Sequence, residues 1–552
     1  MDDQEHSDMS RRDFLATSAA GGAAALASGV MATPAAATTG AGGPGRGGGT
    51  PADDDVAEAT ITQLQQSMTA GERTARSLAQ EYLDRIERVD RAGPAVNSVL
   101  ALNPEALDIA EALDRERQAR GPRGPLHGIP ILLKDNIDTG DGMATTAGSL
   151  ALAGSRAAGD AAVAARLRAA GCVLLGKTNL SEWANFRSTR STSGWSGVGR
   201  QTRNPYALDR NPCGSSSGSG AAVAASLCGA AIGTETDGSV VCPANANGIV
   251  GFKPTLGLVS RTGIIPIAHS QDTAGSMART VTDAVAVLAA IAGADPRDGA
   301  TAAAAGRMPA DLTASLLLDG LRGARLGVAR NYTGFHEKCD ALLEDALQAM
   351  RGAGAEVLDI DLANKGEYGD AEYEVLLYEF KADLNAYLAG RPDLPAQSLA
   401  GLIDFNRNHA SEEMPFFQQE IFEQAEEKGD LQEAAYLEAL ATSKRLSGPE
   451  GIDAALRDHK LDAIVAITGG PAWHTDLVTG DHGLGGCSSP AAVAGYPHIT
   501  VPMGYVFGLP VNISFFAAAW SEATLIRLAY AFEQLTRHRQ APRYLPTVDL
   551  DS

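Results

Sequence analysis

Lys134 is the first residue of this sequence whose type and position could support catalysis. It follows an apolar run, residues 129–133, which predicts a buried β-strand. Burial of an ammonium group is costly and favours loss of its proton, and a neutral lysine is a competent general base. A lysine at a strand end can also extend past the core into water. Taken alone, this segment favours a solvated lysine. Lys134 can therefore be assigned as a base only if other segments of the sequence support a catalytic site.

A second candidate segment is Cys-Gly-Ser-Ser-Ser-Gly-Ser-Gly at 213–220, which leads into an alanine-rich stretch at 221–227. Small residues allow close backbone packing, and a helix start offers unpaired N–H donors. Because a helix follows at once, we interpret the segment as an ordered loop rather than a linker. It also matches G-x-S-x-G around Ser216, the nucleophile-elbow pattern, which requires a preceding strand. The residues before it are polar and interrupted by prolines, so we discount the elbow.

The third candidate segment is Gly-Thr-Glu-Thr-Asp-Gly-Ser-Val at 233–240. It follows the apolar residues 230–232 and precedes Pro243. A strand that ends in a tight turn would present Ser239 in a fixed direction. The backbone N–H groups of the turn would point into the same space, which is the arrangement that an oxyanion hole needs.

Together the three segments resemble those of the amidase-signature hydrolases. In that family a lysine ends a G-I-P-x-x-x-K-D segment, a Gly/Ser loop supplies a serine in a cis peptide, and a G-T-D-T-G-G-S-like turn supplies the nucleophile. The two family serines lie 24 positions apart, as Ser215 and Ser239 do here. The resemblance implies a catalytic set of Lys134, Ser215 and Ser239. It also implies an oxyanion hole formed by the backbone of Thr236, Asp237, Gly238 and Ser239.

Three departures from the general family pattern are similar to those of bacterial peptide amidases. Ser217 replaces a glycine, residues 235–237 read Glu-Thr-Asp instead of D-T-G, and Val241 replaces an arginine. This resemblance implies hydrolysis of the C-terminal amide of peptides to the free acid and ammonia. Small aliphatic or aromatic amides are the alternative substrates. Further alternatives are a non-catalytic secreted binding protein and a tRNA-dependent amidotransferase subunit.

The mechanism that the resemblance implies is a Ser-Ser-Lys relay. Ser239 attacks the amide carbon, and its proton passes through Ser215 to neutral Lys134. No cofactor or metal is expected, since the closely spaced histidines 474, 482 and 498 lack a recognisable ligand spacing. A Ser-His-Asp hydrolase built on Ser216, with His498 as the histidine to test, is the mechanistic alternative.

The pattern of apolar segments predicts an α/β fold. Short apolar runs alternate with alanine-rich helical stretches at 126–290, and further apolar runs lie at 463–516. We expect a large single domain over 56–545, with a central mixed β-sheet covered by helices on both faces. A mostly helical insertion is expected at about 335–460.

The N-terminus carries the features of a twin-arginine export signal over 1–37. Arg11 and Arg12 precede a weakly apolar stretch, and Ala35-Ala36-Ala37 is a small-residue cleavage site. The apolar stretch is too short and too rich in glycine to serve as a membrane anchor. Residues 38–55 are rich in Gly, Pro and Ala and predict a flexible linker. The expected location is periplasmic or extracellular.

Composition excludes some partners. The formal net charge of −22 argues against nucleic acid, because phosphate backbones are bound by clustered Lys and Arg. The expected partner is a small amidated peptide or another small amide. The six cysteines have no CxxC spacing, which predicts neither a disulfide framework nor a zinc site. We interpret Cys213 and Cys242 as small packing residues.

Overall fold

A computed structural model describes residues 56–307 and 311–550. The predicted export signal, 1–37, and the predicted linker, 38–55, lie outside the described residues.

The centre of the described structure is an eleven-stranded mixed sheet. Its strands in chain order are β1 (Val99–Leu102), β2 (Pro130–Lys134), β3 (Val173–Thr178), β4 (Ala230–Glu235), β5 (Val250–Lys253), β6 (Thr273–Ala278), β7 (Arg325–Ala329), β8 (Glu356–Ile360), β9 (Ala463–Ile467), β10 (His498–Val506) and β11 (Leu509–Phe516).

The strands are ordered β1-β3-β2-β4-β6-β5-β10-β11-β9-β7-β8 across the sheet. Strand β2 runs parallel to both neighbours, β3 and β4, and β7 runs parallel to β8 and β9. The remaining pairs are antiparallel. Every residue of β2 and β4 is buried, as expected for interior strands of a sheet covered on both faces. Both strands end at candidate catalytic segments.

The helices connect and flank these strands. The α-helices in chain order are α1 (Ile61–Ala70), α2 (Ala75–Arg85), α3 (Ala106–Arg120), α4 (Ala162–Ala169), α5 (Ser217–Ala224), α6 (Val241–Ala246), α7 (Val281–Ile291), α8 (Glu337–Gly352), α9 (Gly369–Ala389), α10 (Leu399–Asn408), α11 (Ala410–Glu413), α12 (Glu420–Glu426), α13 (Ala434–Ser447), α14 (Asp453–His459), α15 (Ser489–Ala494) and α16 (Glu522–Thr536). None of the helices in the described part of the chain is both long enough and apolar enough to cross a membrane.

The predicted fold class, a large α/β domain with a central mixed sheet and flanking helices, is confirmed. Residues 335–460 are mostly helical, but they also contain β8, which extends the sheet beside β7. Helices α9, α10 and α12 of this segment form a separate apolar cluster with Trp183, Phe186 and the residues around Ile265. The segment therefore packs against the loops near the site as well as against the sheet edge.

Candidate active site

Lys134 is fully buried at the end of β2. Its Nζ is within hydrogen-bond distance of three oxygen atoms: Ser215 Oγ at 2.7 Å, Thr234 Oγ1 at 2.9 Å and the Thr234 carbonyl at 3.2 Å. Burial lowers the pKa of Lys134 from 10.5 to about 7, against the opposing effects of Asp272 and Glu235. The side chain therefore turns into the core instead of reaching water. Near neutral pH its amine can lose its proton and accept another.

The loop that carries Ser215 packs closely against its surroundings. The Gly214–Ser215 peptide bond is cis. A Cβ atom at Gly214 would clash with Ser181 Oγ, so a larger residue there would force its neighbours to shift. The carbonyl of Ser215 accepts a hydrogen bond from the Ser181 N–H at 3.1 Å. Helix α5 begins two residues later, so the interpretation of this segment as an ordered loop is correct.

The turn after β4 contains Ser239 and is closed from inside by Glu235. One carboxylate oxygen of this buried residue accepts the N–H groups of Val240 at 2.8 Å and Val241 at 3.1 Å. Gly238 has φ of +79°, a conformation that glycine adopts without strain. In the described backbone hydrogen-bond pattern, the amides of residues 236–239 have no protein acceptor. These donors are therefore available to an oxygen atom of a ligand.

Ser239 is joined to the Ser215 segment through the backbone, since the Ser216 N–H donates to the Ser239 carbonyl at 3.2 Å. Ser239 is buried, with 8% of its surface exposed. Among the hydrogen bonds of residues 56–307 and 311–550, none links the hydroxyl groups of Ser215 and Ser239 directly. The structure thus places Lys134 and Ser215 in contact and brings the Ser239 turn alongside them.

A disulfide bond between Cys213 and Cys242 corrects our interpretation of both residues as packing cysteines. The two cysteines are 29 positions apart, and no local sequence signature pairs them. The fold brings them together because Cys213 precedes the Ser215 loop and Cys242 lies in α6, directly after the Ser239 turn. The other four cysteines are buried and unpaired, so a multi-bridge framework is absent from the described residues.

A cleft of about 390 Å³ lies beside these residues. Ser215, Thr234 and Thr236 form part of its lining, and residues 264–267, Ile-Ile-Pro-Ile, supply an apolar wall. Charged residues on other parts of the lining include Arg261, Asp272, Asp298 and Asp383. Arg261 is paired with Asp298, so part of this charge is already neutralised. The cleft can accommodate a ligand with both apolar and hydrogen-bonding groups.

The alternative site around Ser216 does not have the required geometry. Ser216 Oγ donates to the Thr234 carbonyl at 3.1 Å and accepts from the Thr234 N–H at 3.2 Å, so its hydroxyl fastens the loop to β4. The residues immediately before it are not a strand, as a nucleophile elbow would need. His498 is buried on β10, and its Nε2 lies 2.6 Å from Ser514 Oγ.

One group of side chains has spacing compatible with a metal ion. Ligand atoms of His269, Glu379 and Asp383 lie within 4.8 Å of one another. The carboxylate oxygens of Glu379 already accept hydrogen bonds from Tyr436 and from the Ser270 N–H. Asp383 accepts from the backbone and the ring of His269. Since protein donors already bind these oxygens, we assign no metal to this group.

Sequence reasoning assigns no role to four residues that contact the candidate set. Thr234 binds Lys134, Glu235 closes the turn, and Gln271 and Asp272 bind Thr236. The Asp-Thr pair at 272–273 resembles a pair found in amidase-signature hydrolases, and this was the available signal. The two contacts to Thr236 depend on how β4 pairs with β6, and local sequence does not reveal that pairing.

The sequence matches the model of the Amidase family over residues 77–526. It also matches the model of the twin-arginine translocation signal sequence over residues 8–28. This second match supports the predicted export by the twin-arginine route.

Three similar proteins cover most of the chain. A probable amidase of Arabidopsis thaliana is 41% identical over 500 residues, which is 89% of this chain and 92% of that protein. A glutamyl-tRNA(Gln) amidotransferase subunit of a Synechococcus strain is 34% identical, covering 88% of this chain and 93% of the relative. The crystal structure of a Stenotrophomonas peptide amidase with the competitive inhibitor chymostatin has 54% identity and a TM-score of 0.86, covering 89% of this chain and 100% of that chain.

Proposed function

Because this chain belongs to the amidase family and hydrolyses amide C–N bonds, we propose that its substrate is the C-terminal carboxamide of a peptide. The products are the peptide acid and ammonia. The contact that supports catalysis most directly is the 2.7 Å hydrogen bond between buried Lys134 and Ser215. Similarity to a peptide amidase over 89% of the chain supports the choice of a peptide.

In the first half of the reaction, Ser239 Oγ attacks the carbon of the terminal carboxamide. Its proton passes to Ser215 Oγ, whose own proton passes to the neutral amine of Lys134. The amides of residues 236–239 stabilise the oxyanion of the tetrahedral intermediate, and each such donor is worth roughly 3 kcal/mol in comparable sites. Lys134, now charged, returns the proton through Ser215 to the departing nitrogen. Ammonia leaves, and an acyl-enzyme on Ser239 remains.

In the second half, water attacks the acyl carbon, and its proton enters the same relay. The second tetrahedral intermediate collapses by breaking the bond to Ser239 Oγ. Ser239 then recovers its proton through Ser215 from Lys134, and the peptide acid is released. The lowered pKa of Lys134, about 7, suits a group that must both accept and return a proton near neutral pH.

The cleft supports a peptide more readily than a very small amide. The apolar wall at 264–267 can contact a side chain, while polar residues such as Asn136 and Thr236 can contact the amide groups of the peptide. The solved relative is itself a peptide amidase and binds the competitive inhibitor chymostatin. Small aliphatic or aromatic amides remain the alternative substrates.

An amidotransferase function is the second alternative, because a tRNA-dependent amidotransferase subunit is 34% identical. The twin-arginine signal at 8–28 supports an exported enzyme instead, since work on charged tRNA takes place in the cytosol. We propose a periplasmic or extracellular location after export.

Ammonia release from a short peptide with an amidated C-terminus tests the proposal, with wild-type protein and Ser239→Ala compared side by side. We expect ammonia from the wild type alone, with the internal peptide bonds intact by mass spectrometry. Turnover of benzamide but not of the peptide would retain the mechanism and overturn the peptide substrate. Equal release by the two proteins would overturn Ser239 as the nucleophile.

A further inference from the structure

Gln271 and Asp272 hold both polar ends of Thr236, the first residue of the turn that contains Ser239. The Thr236 hydroxyl donates to Asp272 Oδ1 at 2.6 Å, and Gln271 Nε2 donates to the Thr236 carbonyl at 3.2 Å. The Thr236 N–H is left without a protein acceptor in the described backbone pattern. The contact therefore fixes this residue while leaving its amide free.

Asp272 is itself held firmly. Its Oδ2 accepts the N–H groups of Ile267 at 2.8 Å and Ala268 at 2.9 Å, at the end of the apolar cleft wall. The next residue, Thr273, pairs with Glu235 in the antiparallel register of β6 and β4. The Asp272 carboxylate thus connects the cleft wall to the turn, and the residue lies directly before a strand of the sheet.

Asp272 lines the same cleft as Ser215 and Thr234, the two residues that contact the Lys134 amine, and its charge acts on that amine. Among the groups that oppose the effect of burial on Lys134, Asp272 has the largest effect and Glu235 the second largest. The pKa of Asp272 is raised to about 6, mainly by burial and also by Asp383, although hydrogen bonds from Thr236 and two backbone amides oppose the rise. Above that pH the carboxylate is negative and favours the protonated form of Lys134.

We propose that Asp272 is a positioning residue of this active site: it fixes the oxyanion turn through Thr236, and its charge stabilises the protonated Lys134 that forms during turnover. This inference rests on the proposed function of Lys134 and Ser239. Asp272 need not touch the substrate, because it acts through the oxyanion turn and through Lys134.

Two substitutions of Thr236 test the first part. Thr236→Val keeps the branched shape but removes the hydroxyl donor, whereas Thr236→Ser keeps the donor. With an amidated tripeptide as substrate, we expect kcat to fall about 10- to 100-fold in the valine variant, because one charge-assisted hydrogen bond is lost. KM should change by less than about threefold, and the serine variant should recover most of kcat. Equal kcat in wild type and Thr236→Val, or an equal loss in both variants, would overturn the role of this contact.

Asp272→Asn tests the second part through the pH profile of kcat/KM. Removal of the negative charge should lower the pKa of Lys134, so the acid limb should move to lower pH. Asp90→Asn is a matched control: Asp90 is buried, does not line the cleft, and also accepts one serine hydroxyl and two backbone amides. Its acid limb should coincide with that of the wild type. An unmoved acid limb in Asp272→Asn, or the same shift in Asp90→Asn, would overturn the electrostatic role.

The asparagine variant could unfold, since its amide would face two N–H donors, so melting temperatures are measured for all variants. The valine variant leaves Asp272 and its backbone contacts in place and keeps the inference testable in that case. Failure of the proposed function would be recognised separately. In that case the wild type would release no ammonia, or Ser239→Ala would release as much ammonia as the wild type. Active wild type with inactive Ser239→Ala, together with fully active Thr236→Val, would overturn the positioning role alone.

Discussion

Replacing Lys134 with methionine tests both its role and its charge state. Methionine has a similar length and shape but no amine, so the proton relay loses its base. We expect kcat/KM to fall by at least about 10³-fold, in line with the removal of a general base from a hydrolase. The same substitution should change the pH dependence of stability, because Lys134 is fully buried and its pKa lies far below that of an exposed lysine.

The size of the stability effect follows from the two pKa values, 10.5 in the unfolded chain and about 7 in the folded protein. Between these values the unfolded chain binds a proton that the folded chain does not. Keeping the lysine neutral therefore costs about 1.4 kcal/mol for each pH unit below 10.5, or roughly 5 kcal/mol at pH 7 and roughly 2 kcal/mol at pH 9. Below pH 7 the cost stays constant.

Methionine avoids this cost but loses three hydrogen bonds, worth about 1 kcal/mol each. Relative to the wild type, Lys134→Met should be more stable by about 2 kcal/mol at pH 7 and less stable by about 1 kcal/mol at pH 9. Urea unfolding of both proteins at pH 7, 8 and 9 measures this difference. Wild-type kcat/KM should fall below about pH 7 as Lys134 gains its proton.

Lys177→Met is the matched control, because Lys177 is also fully buried but lies 3.7 Å from the carboxylate of Asp135. Its loss leaves a buried carboxylate without its ionic partner, so this variant should be destabilised throughout pH 7–9. Its remaining activity should keep the wild-type acid limb. A stability difference between Lys134→Met and wild type that does not change from pH 7 to 9 would refute a neutral Lys134, as would wild-type activity that stays level below pH 7.

Three further predictions concern the disulfide, the alternative serine and metals. Loss of the disulfide, by reduction or by changing both Cys213 and Cys242 to alanine, should lower the free energy of unfolding by about 3 to 4 kcal/mol, since the bridge closes a loop of 29 positions. An unchanged midpoint of urea unfolding would contradict the presence of the bridge. Ser216→Ala should lose about 1 to 3 kcal/mol of stability yet keep a measurable kcat, whereas Ser239→Ala should not. His498→Gln should remain active. A stable but inactive Ser216→Ala would favour the alternative Ser-His-Asp triad. Chelators should leave activity unchanged, and a loss restored by added zinc would show a metal that the relay does not use.

The sequence predicts the parts of this site that depend on short segments. Apolar runs predict β2 and β4, and their ends are the positions of Lys134 and of the Ser239 turn. The Gly/Ser loop is ordered, as expected, because a helix follows it directly. The direction of the Lys134 side chain is not predictable from its own segment, since a strand end permits both a buried and a solvated lysine. Its hydrogen bond to Ser215 decides between them, and that partner lies 81 positions away.

The parts that sequence reasoning missed are contacts set by the sheet. Cys213 and Cys242 meet because the loop before α5 and the start of α6 lie at the same edge, and each cysteine alone resembles a small packing residue. Thr236 meets Asp272 across 36 positions, and the antiparallel register of β4 and β6 brings the two together. The local sequence shows which residues these are, but it does not show which of them contact each other.

This dependence on register has a consequence for how the site tolerates change. In an antiparallel pair, a slip of one residue moves each side chain to the opposite face of the sheet. A slip of β6 against β4 would therefore separate Asp272 from Thr236 even if every candidate catalytic residue were intact. Register is strongly specified where both strands are buried, as β4 and β6 are here. The buried residues of β6 thus keep Asp272 beside Thr236, although none of their side chains belongs to the relay.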